Sequence, residues 1–383
     1  MLSIWLYEFT EFSLFEHRLF RAGAAALLAA LLVFLIMPRF ISWLHKQNAV
    51  SDFAPNAQQA PPIFGGLLVV FSVILATLCF SQMNGYSGSI LLIMLSYTFV
   101  GGLDDYHKIR TKKLIAAGKA QKKDYQDKAD GLPANIRLFL YFLFSALVAV
   151  FAYKFTPGLN RHLAIPFVKP EIWYPLLPAW AFVGLMCFVT AASANGANFT
   201  DGLDTLVSIP LITTAIFVGL VSYISGNAIF SKYFLIPHLP GVDELLPICG
   251  AMMGALLAYL WYNCPPAEIY MGDGGSIGLG GAIGMMFVMI KAELFLPIVG
   301  VVFLGEATSV VLQMGFFKLT KRFSKDRTGR RIFRRAPIHD HFRLALKEKY
   351  GDSHAVNSKV IWRFHLVSVL ALIFGSLVFF KIR

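Results

Sequence analysis

Charge is scarce in this chain. Of its 383 residues only 15% are Asp, Glu, Lys or Arg, against about 25% in an ordinary soluble domain. So few charges cannot cover the surface of a water-soluble enzyme, and they exclude a disordered segment or a long coiled coil as well. Cysteine is nearly absent. Cys79, Cys187, Cys249 and Cys264 stand singly in or beside apolar runs, with no C-x-x-C pair. A zinc or disulfide framework is therefore excluded, and the four read as small apolar residues in helices. Period-two alternation, tandem repeats and a soluble domain are missing too. Residues 1–20 lack the basic start of a cleavable leader; they carry Glu8, Glu11 and Glu16 among Trp5, Tyr7, Phe9, Phe12 and Phe15. That mixture reads as a segment lying in a membrane interface.

What the chain has is apolar length. Hydrophobic residues make up 57% and the mean hydropathy is +0.63. A membrane span needs about 20 apolar residues, and ten runs come close: 21–43, 63–82, 88–103, 136–155, 174–194, 203–224, 243–264, 276–291, 294–316 and 360–381. The pattern predicts an all-α polytopic membrane protein of about ten transmembrane helices, forming one domain over 1–383. The net charge is +12, and two stretches account for it: residues 104–135, with eight Lys/Arg and five Asp, and residues 317–359, with thirteen Lys/Arg and four Asp/Glu. Both follow apolar runs, so both read as cytoplasmic loops. With ten spans, segments 44–62, 192–202 and 265–275 join them on that face. Positive charge beside spans suits an anionic membrane surface or a phosphorylated substrate better than nucleic acid.

The carboxylates gather on the same face. Asp104 and Asp105 end the third run, Asp201 and Asp204 open the sixth, and Asp273 precedes the eighth in Met271-Gly272-Asp273-Gly274-Gly275-Ser276. Taken singly, these are a solvated helix end, an N-cap and a plain turn. Together, beside a bilayer, they are costly and point to function. Adjacent carboxylates repel, and a divalent cation removes the conflict. Mg²⁺ accepts a few carboxylates and completes its shell with waters and substrate phosphates. Asp201 and Asp204 are expected to share a helix face, with Asn198 three residues back. The glycines around Asp273 are expected to let backbone N–H groups and a helix N-terminus approach a phosphate. Arg330, Arg331, Arg334, Arg335, His339 and His341 add phosphate-binding cations. A metal site at the histidines or a solvated basic loop are the other readings of that stretch. Facing acids and bases of this kind are what phosphoryl transfer requires.

These segments resemble a known family. The runs Asp104-Asp105 with Lys108, Asn198 to Asp204, Trp261-Tyr262-Asn263, Tyr270 to Asp273, Glu306 to Gln313, and Arg331 to His339 are similar to those of the phospho-N-acetylmuramoyl-pentapeptide-transferases, within the polyprenyl-phosphate N-acetylhexosamine-1-phosphate transferase superfamily. The resemblance covers about Phe20 to Arg383, and Ala336-Pro337-Ile338-His339 favours the muramoyl branch. It implies a Mg²⁺-dependent homodimer in the bacterial cytoplasmic (inner) membrane, with its site facing the cytoplasm. Such an enzyme moves phospho-N-acetylmuramoyl-pentapeptide from UDP to undecaprenyl phosphate, giving lipid I and UMP. By motif, Asp273 is the principal Mg²⁺ ligand, and Asp104 engages the lipid phosphate beside Asp105 and Lys108. Asn198, Asp201 and Asp204 form a central polar cluster, and Tyr270 stacks on uracil. Asn263, Gln313 and His339 lie on the nucleotide side, with Arg137 and His341 also among the substrate-binding positions.

The chain departs from the family pattern in four places. His339-Asp340-His341 stands where three histidines are usual. Pro61 to Gly66 lacks the usual hydroxyls and preceding lysine, Arg137 replaces a lysine, and the third loop is longer around Lys112–Asp130. Two other functions compete: a sister transferase using UDP-N-acetylglucosamine, and a transporter for an anionic lipid. Transporters place their polar groups near the bilayer midplane, often in repeated halves, whereas here the acids sit at run ends and no repeat is found.

Overall fold

The computed structural model describes residues 5–381 except 6, 10, 51–59, 117–130, 157–158, 169–171, 325–327 and 352. All ten apolar runs are helical. They form α1 (Arg18–Lys46), α2 (Gly65–Phe80), α3 (Gly85–Ala116), α4 (Ala134–Phe155), α5 (Ala179–Thr200), α6 (Ser208–Ser225), α7 (Leu245–Asn263), α8 (Gly272–Met289) and α9 (Val301–Phe323); α10 (Ile338–Tyr350) then precedes the last run, in α11 (His354–Lys381). Among the described residues, β-structure is limited to isolated bridges, Val50 with Pro62 and His162 with Leu176. Most of the longer third loop, 117–130, lies outside the described residues.

Eight of these helices are long and apolar enough to cross a membrane, among the described residues. The other two runs are α2, with 16 residues, and α8, with 18. The expected ten spans therefore resolve into eight self-sufficient helices and two that depend on their neighbours. In α8 the dependence is visible: every residue from Gly274 to Met289 is buried. A helix apolar all round belongs inside a bundle, and glycine lets others close on it. A Cβ on Gly280 would stand 2.5 Å from the Ala197 Cβ of α5, and one on Gly284 2.7 Å from the Ser193 Cβ. The Ser193 hydroxyl donates to the Gly280 carbonyl at 2.7 Å across this crossing. Small residues four apart are the usual basis of close helix contact in lipid. The pair Gly250 and Gly254 of α7 does the same against the backbone of α1 at Ala22 and Ala26.

Two run ends lie elsewhere than the hydropathy pattern predicts. The third run continues as helix to Ala116 instead of stopping at 103. The sixth starts at Ser208 instead of 203. In α1, Pro38 has no N–H for the Phe34 carbonyl, and the Tyr262 hydroxyl of α7 donates to that oxygen at 2.9 Å instead. At the start of α1 and α7, buried Arg21 makes a two-pronged pair with Glu244 at 2.8 and 2.7 Å, and Arg18 pairs with Asp243. This lock closes one end of the bundle, and the acidic segments singled out above meet at the other.

Candidate active site

The extension of α3 beyond its apolar run places Asp104, Asp105 and Lys108 on one helix. The two acids are therefore inside α3 and do not end it. Asp104 and Asp105 are almost fully buried. The Lys108 ammonium lies 2.8 Å from Asp104 Oδ2, 2.8 Å from Asp273 Oδ2 and 3.9 Å from Asp105 Oδ1. Arg137, from the first turn of α4, stands 3.3 Å from Asp104 Oδ2 and 3.6 Å from Asp273 Oδ2. The Leu132 N–H donates to Asp104 Oδ1 at 2.6 Å. Asn198, near the end of α5, donates to Asp273 Oδ1 at 2.9 Å and to Ser276 Oγ at 3.3 Å. Asp105 accepts from the Gly274 N–H at 3.0 Å and so fixes the first turn of α8. Gly272 starts that turn at φ +76°, where a side chain would be strained and would meet Asp105. Four helices thus deliver six of the predicted site residues into one hydrogen-bonded cluster.

Asp201 and Asp204 do not share a helix face. Asp201 caps the C-terminus of α5 just past its last residue, Thr200, and Asp204 lies in the turn before α6. The expected start of α8 at Ser276 also moves, to Gly272. Asp201 still belongs to the cluster electrostatically. Burial, then the negative charges of Asp273 and Asp204, push its carboxyl up to about 8, against the pull of Lys108. Asn263 turns out to brace the turn: its Oδ1 accepts from the Thr205 N–H at 2.8 Å and its Nδ2 donates to the Ile269 carbonyl at 2.8 Å. Tyr270 is half-buried; its hydroxyl is shifted upward by burial and by Asp204, and its backbone pairs with Pro62 and Gly65.

The remaining predicted residues form a second group, which reaches the same turn through His339. Buried His339 places Nδ1 3.1 Å from Glu306 Oε2. Its ring presses on Gly202, where a Cβ would collide with it, so His339 reaches the residue next to Asp201. His341 Nδ1 accepts from the Arg334 N–H at 3.2 Å. Gln313 directs its carboxamide at the backbone of Ile332 and Phe333. Asp340, unexpected among histidines, pairs with Arg343 at 2.6 Å and Arg335 at 3.1 Å. Sequence reasoning did not assign a role to Glu306. The signal was available, because Glu306 is the one acid in the run 294–316, and an acid at membrane depth is rarely idle.

The donor set suits a hard divalent cation. Three acids, Asp104, Asp105 and Asp273, face two cations, Lys108 and Arg137, so one formal negative charge is left over in the cluster. No group of three or more His, Cys, Asp or Glu is arranged to hold a metal among the described residues. Mg²⁺ needs no such cage, since one or two carboxylates with waters and substrate phosphates suffice. Asp273 brings one such carboxylate to the cluster from the first turn of α8, its oxygens held by Lys108, Arg137 and Asn198.

A buried, helix-borne cluster of acids and cations at one end of an all-α membrane bundle is the constellation of a membrane transferase. Residues 87–291 match the family described as Glycosyl transferase family 4. Over nearly full length the chain is similar to three proteins named phospho-N-acetylmuramoyl-pentapeptide-transferase. That of Campylobacter jejuni strain 81-176 is 35% identical over 96% of both chains, that of a Nitratiruptor species is 35% identical over 99% of both, and that of Helicobacter pylori strain 26695 is 35% identical over 97% of both. The chain belongs to the phospho-N-acetylmuramoyl-pentapeptide-transferase family.

Proposed function

We propose that this protein transfers phospho-N-acetylmuramoyl-pentapeptide from its UDP carrier to undecaprenyl phosphate, with Mg²⁺, as a homodimer in the bacterial inner membrane with its site facing the cytoplasm. The observation that carries the reading is Asp273. One carboxylate is addressed from three other helices, by Lys108, Arg137 and Asn198, where a diphosphate and its counter-ion would be held. Mg²⁺ bound there would neutralise charge on the donor diphosphate.

The chain's own groups would do the rest. Lys108 and Arg137 would bring the lipid phosphate against the donor. One of its oxygens forms a bond to the sugar-bearing phosphorus, the bond to the bridging oxygen breaks, and UMP leaves with that electron pair. A phosphate monoester with a second pKa of about 6 is already mostly dianionic at neutral pH, so no strong base is required. Positioning and fixed charge supply the acceleration. Asp104 fits a positioning role: Oδ1 is held by Leu132 and Oδ2 by Lys108 and Arg137. The family's known match of Tyr270 to uracil agrees with its half-buried place beside the Asp204 turn.

The test is UMP release by the protein reconstituted with undecaprenyl phosphate and Mg²⁺, offered UDP-N-acetylmuramoyl-pentapeptide or UDP-N-acetylglucosamine. Release with the first donor alone is expected. Release with only the second would replace the reading by the sister transferase.

A further inference from the structure

Helix α9 carries Glu306, Gln313 and Thr320, spaced seven residues apart. Two helical turns separate each from the next, so the three lie along one stripe. All three are engaged by the same segment. Thr320 Oγ1 accepts from the Arg330 N–H at 2.8 Å. Gln313 Oε1 accepts from the Ile332 and Phe333 N–H groups, both at 3.0 Å, while its Nε2 donates to the Phe333 carbonyl at 3.1 Å. Glu306 Oε2 takes the His339 N–H at 3.4 Å and faces His339 Nδ1 at 3.1 Å. As the numbers fall along α9 they rise along the segment, so residues 330–339 run antiparallel to the helix, laid along it as a strap on a rail.

The strap carries Arg330, Arg331, Arg334 and Arg335 and ends at His339 beside the Asp201 turn. From Arg330 to Pro337, before α10 begins, the segment has four like charges and no helix or strand of its own, and it would not hold one conformation unaided. Backbone bonds to the stripe supply part of what it lacks, and the pairs Arg334–Glu348 and Arg335–Asp340 tie it to α10 as well, leaving Arg330 and Arg331, among the described residues, as the cations without a paired acid in this cluster. Both polar ends of Gln313 are consumed in the backbone bonds, which turns that side chain toward the strap and away from a substrate.

We propose that Glu306, Gln313 and Thr320 are positioning residues that hold the 330–339 strap as a preformed receptor for the phosphates of the nucleotide donor. The donor's identity rests on the transferase reading above; the rail itself does not. Gln313 acts on the donor through the strap.

The experiment uses full-length protein in nanodiscs, with two readouts: the rate of tryptic cleavage within Arg330–Arg335, followed by mass spectrometry, and steady-state kinetics for both substrates. Losing the Gln313 bonds is expected to speed cleavage and raise the donor KM by about tenfold in Gln313→Leu, with kcat and the undecaprenyl phosphate KM within about twofold. Gln313→Glu keeps the acceptor and should fall between the parent and Gln313→Leu. Thr320→Val, on the exposed part of α9, should shift both readouts in the same direction by less, and Thr320→Ser should restore them; this pair decides the matter if Gln313→Leu does not fold. A strap as resistant in Gln313→Leu as in the parent overturns the proposal. So does a Gln313→Glu variant with weaker donor binding than Gln313→Leu, since a carboxylate facing the phosphates directly would repel them. A parent protein without transferase activity would remove the transferase reading, and proteolysis would still judge the rail.

Discussion

Asp104 is the residue a phospho-enzyme route would need as its nucleophile, and its surroundings argue against that use. A carboxylate attacks through a free lone pair, yet one oxygen receives the Leu132 N–H and the other sits between Lys108 and Arg137. Each charge-assisted bond stabilises the anion where it is and weakens its nucleophilicity. Incubation with a donor labelled in the phosphosugar, without lipid acceptor, is expected to leave no label on the protein; a stoichiometric adduct lost in Asp104→Asn would establish the covalent route. Asp273→Asn makes the complementary case. It keeps the shape and the partner Asn198 while removing the charge proposed to hold Mg²⁺. Turnover should fall by about 10²–10³-fold, the scale of losing one central electrostatic group, with the melting temperature in detergent little changed. Mg²⁺-dependent turnover near the parent's would take the metal away from Asp273. Both residues are legible in the sequence, since an acid beside an apolar run is conspicuous. Their partners are less so. The Leu132 N–H is a backbone group that no residue type advertises. The resemblance puts Gln313 on the nucleotide side, and its bonds to Ile332 and Phe333 depend on how the chain folds back over α9.

At the scale of the element, α8 ties the fold to the site. Its first turn holds Asp273 and its body is gripped by α5 through Gly280 and Gly284. The same α5 ends at Thr200, two residues after the site residue Asn198 and just before Asp201. Gly280→Val would force these helices apart. Overpacking of this kind costs roughly 1–3 kcal/mol, and it should lower the melting temperature and turnover together because Asn198 would move away from Asp273. Gly23→Ala in α1, where nothing lies within 4 Å, should be neutral or stabilise by up to about 1 kcal/mol. Equal effects from the two would show that the α5–α8 crossing has no special closeness. The existence of each helix can be read from hydropathy, and the two displaced ends have a physical reason. Asp104 and Asp105 look like the end of a span, but Lys108 lies one turn on and compensates them within α3, so helix continues. Asp201 and Asp204 have helical spacing, but Asn263 captures the Thr205 N–H and holds the chain in a turn. In both places a side-chain partner outweighs the local pattern.

At the scale of the whole molecule, the two ends of the bundle differ in kind. Arg21, Glu244, Arg18 and Asp243 tie the starts of α1 and α7 together at one end, whereas the acids, Lys108, Arg137 and the strap meet at the other. Basic segments on the side of the cluster predict that this side faces the cytoplasm. Cys264 offers a native reporter, because it follows α7 on the cluster side and is exposed, while Cys187 and Cys249 are buried. A membrane-impermeant maleimide should label the protein in inside-out vesicles and not in right-side-out ones, and Cys264→Ser should remove that labelling, leaving only any background from half-buried Cys79. Adding Trp173→Cys to Cys264→Ser moves the reporter to an exposed position in the segment between α4 and α5, and the label should then enter from the opposite side. Labelling of both positions from one side would mean that the chain does not cross the bilayer between them in the way its helices require. Labelling with the sidedness reversed would leave the fold standing and place the acidic cluster away from any cytoplasmic nucleotide, so the proposed donor would fail on access alone.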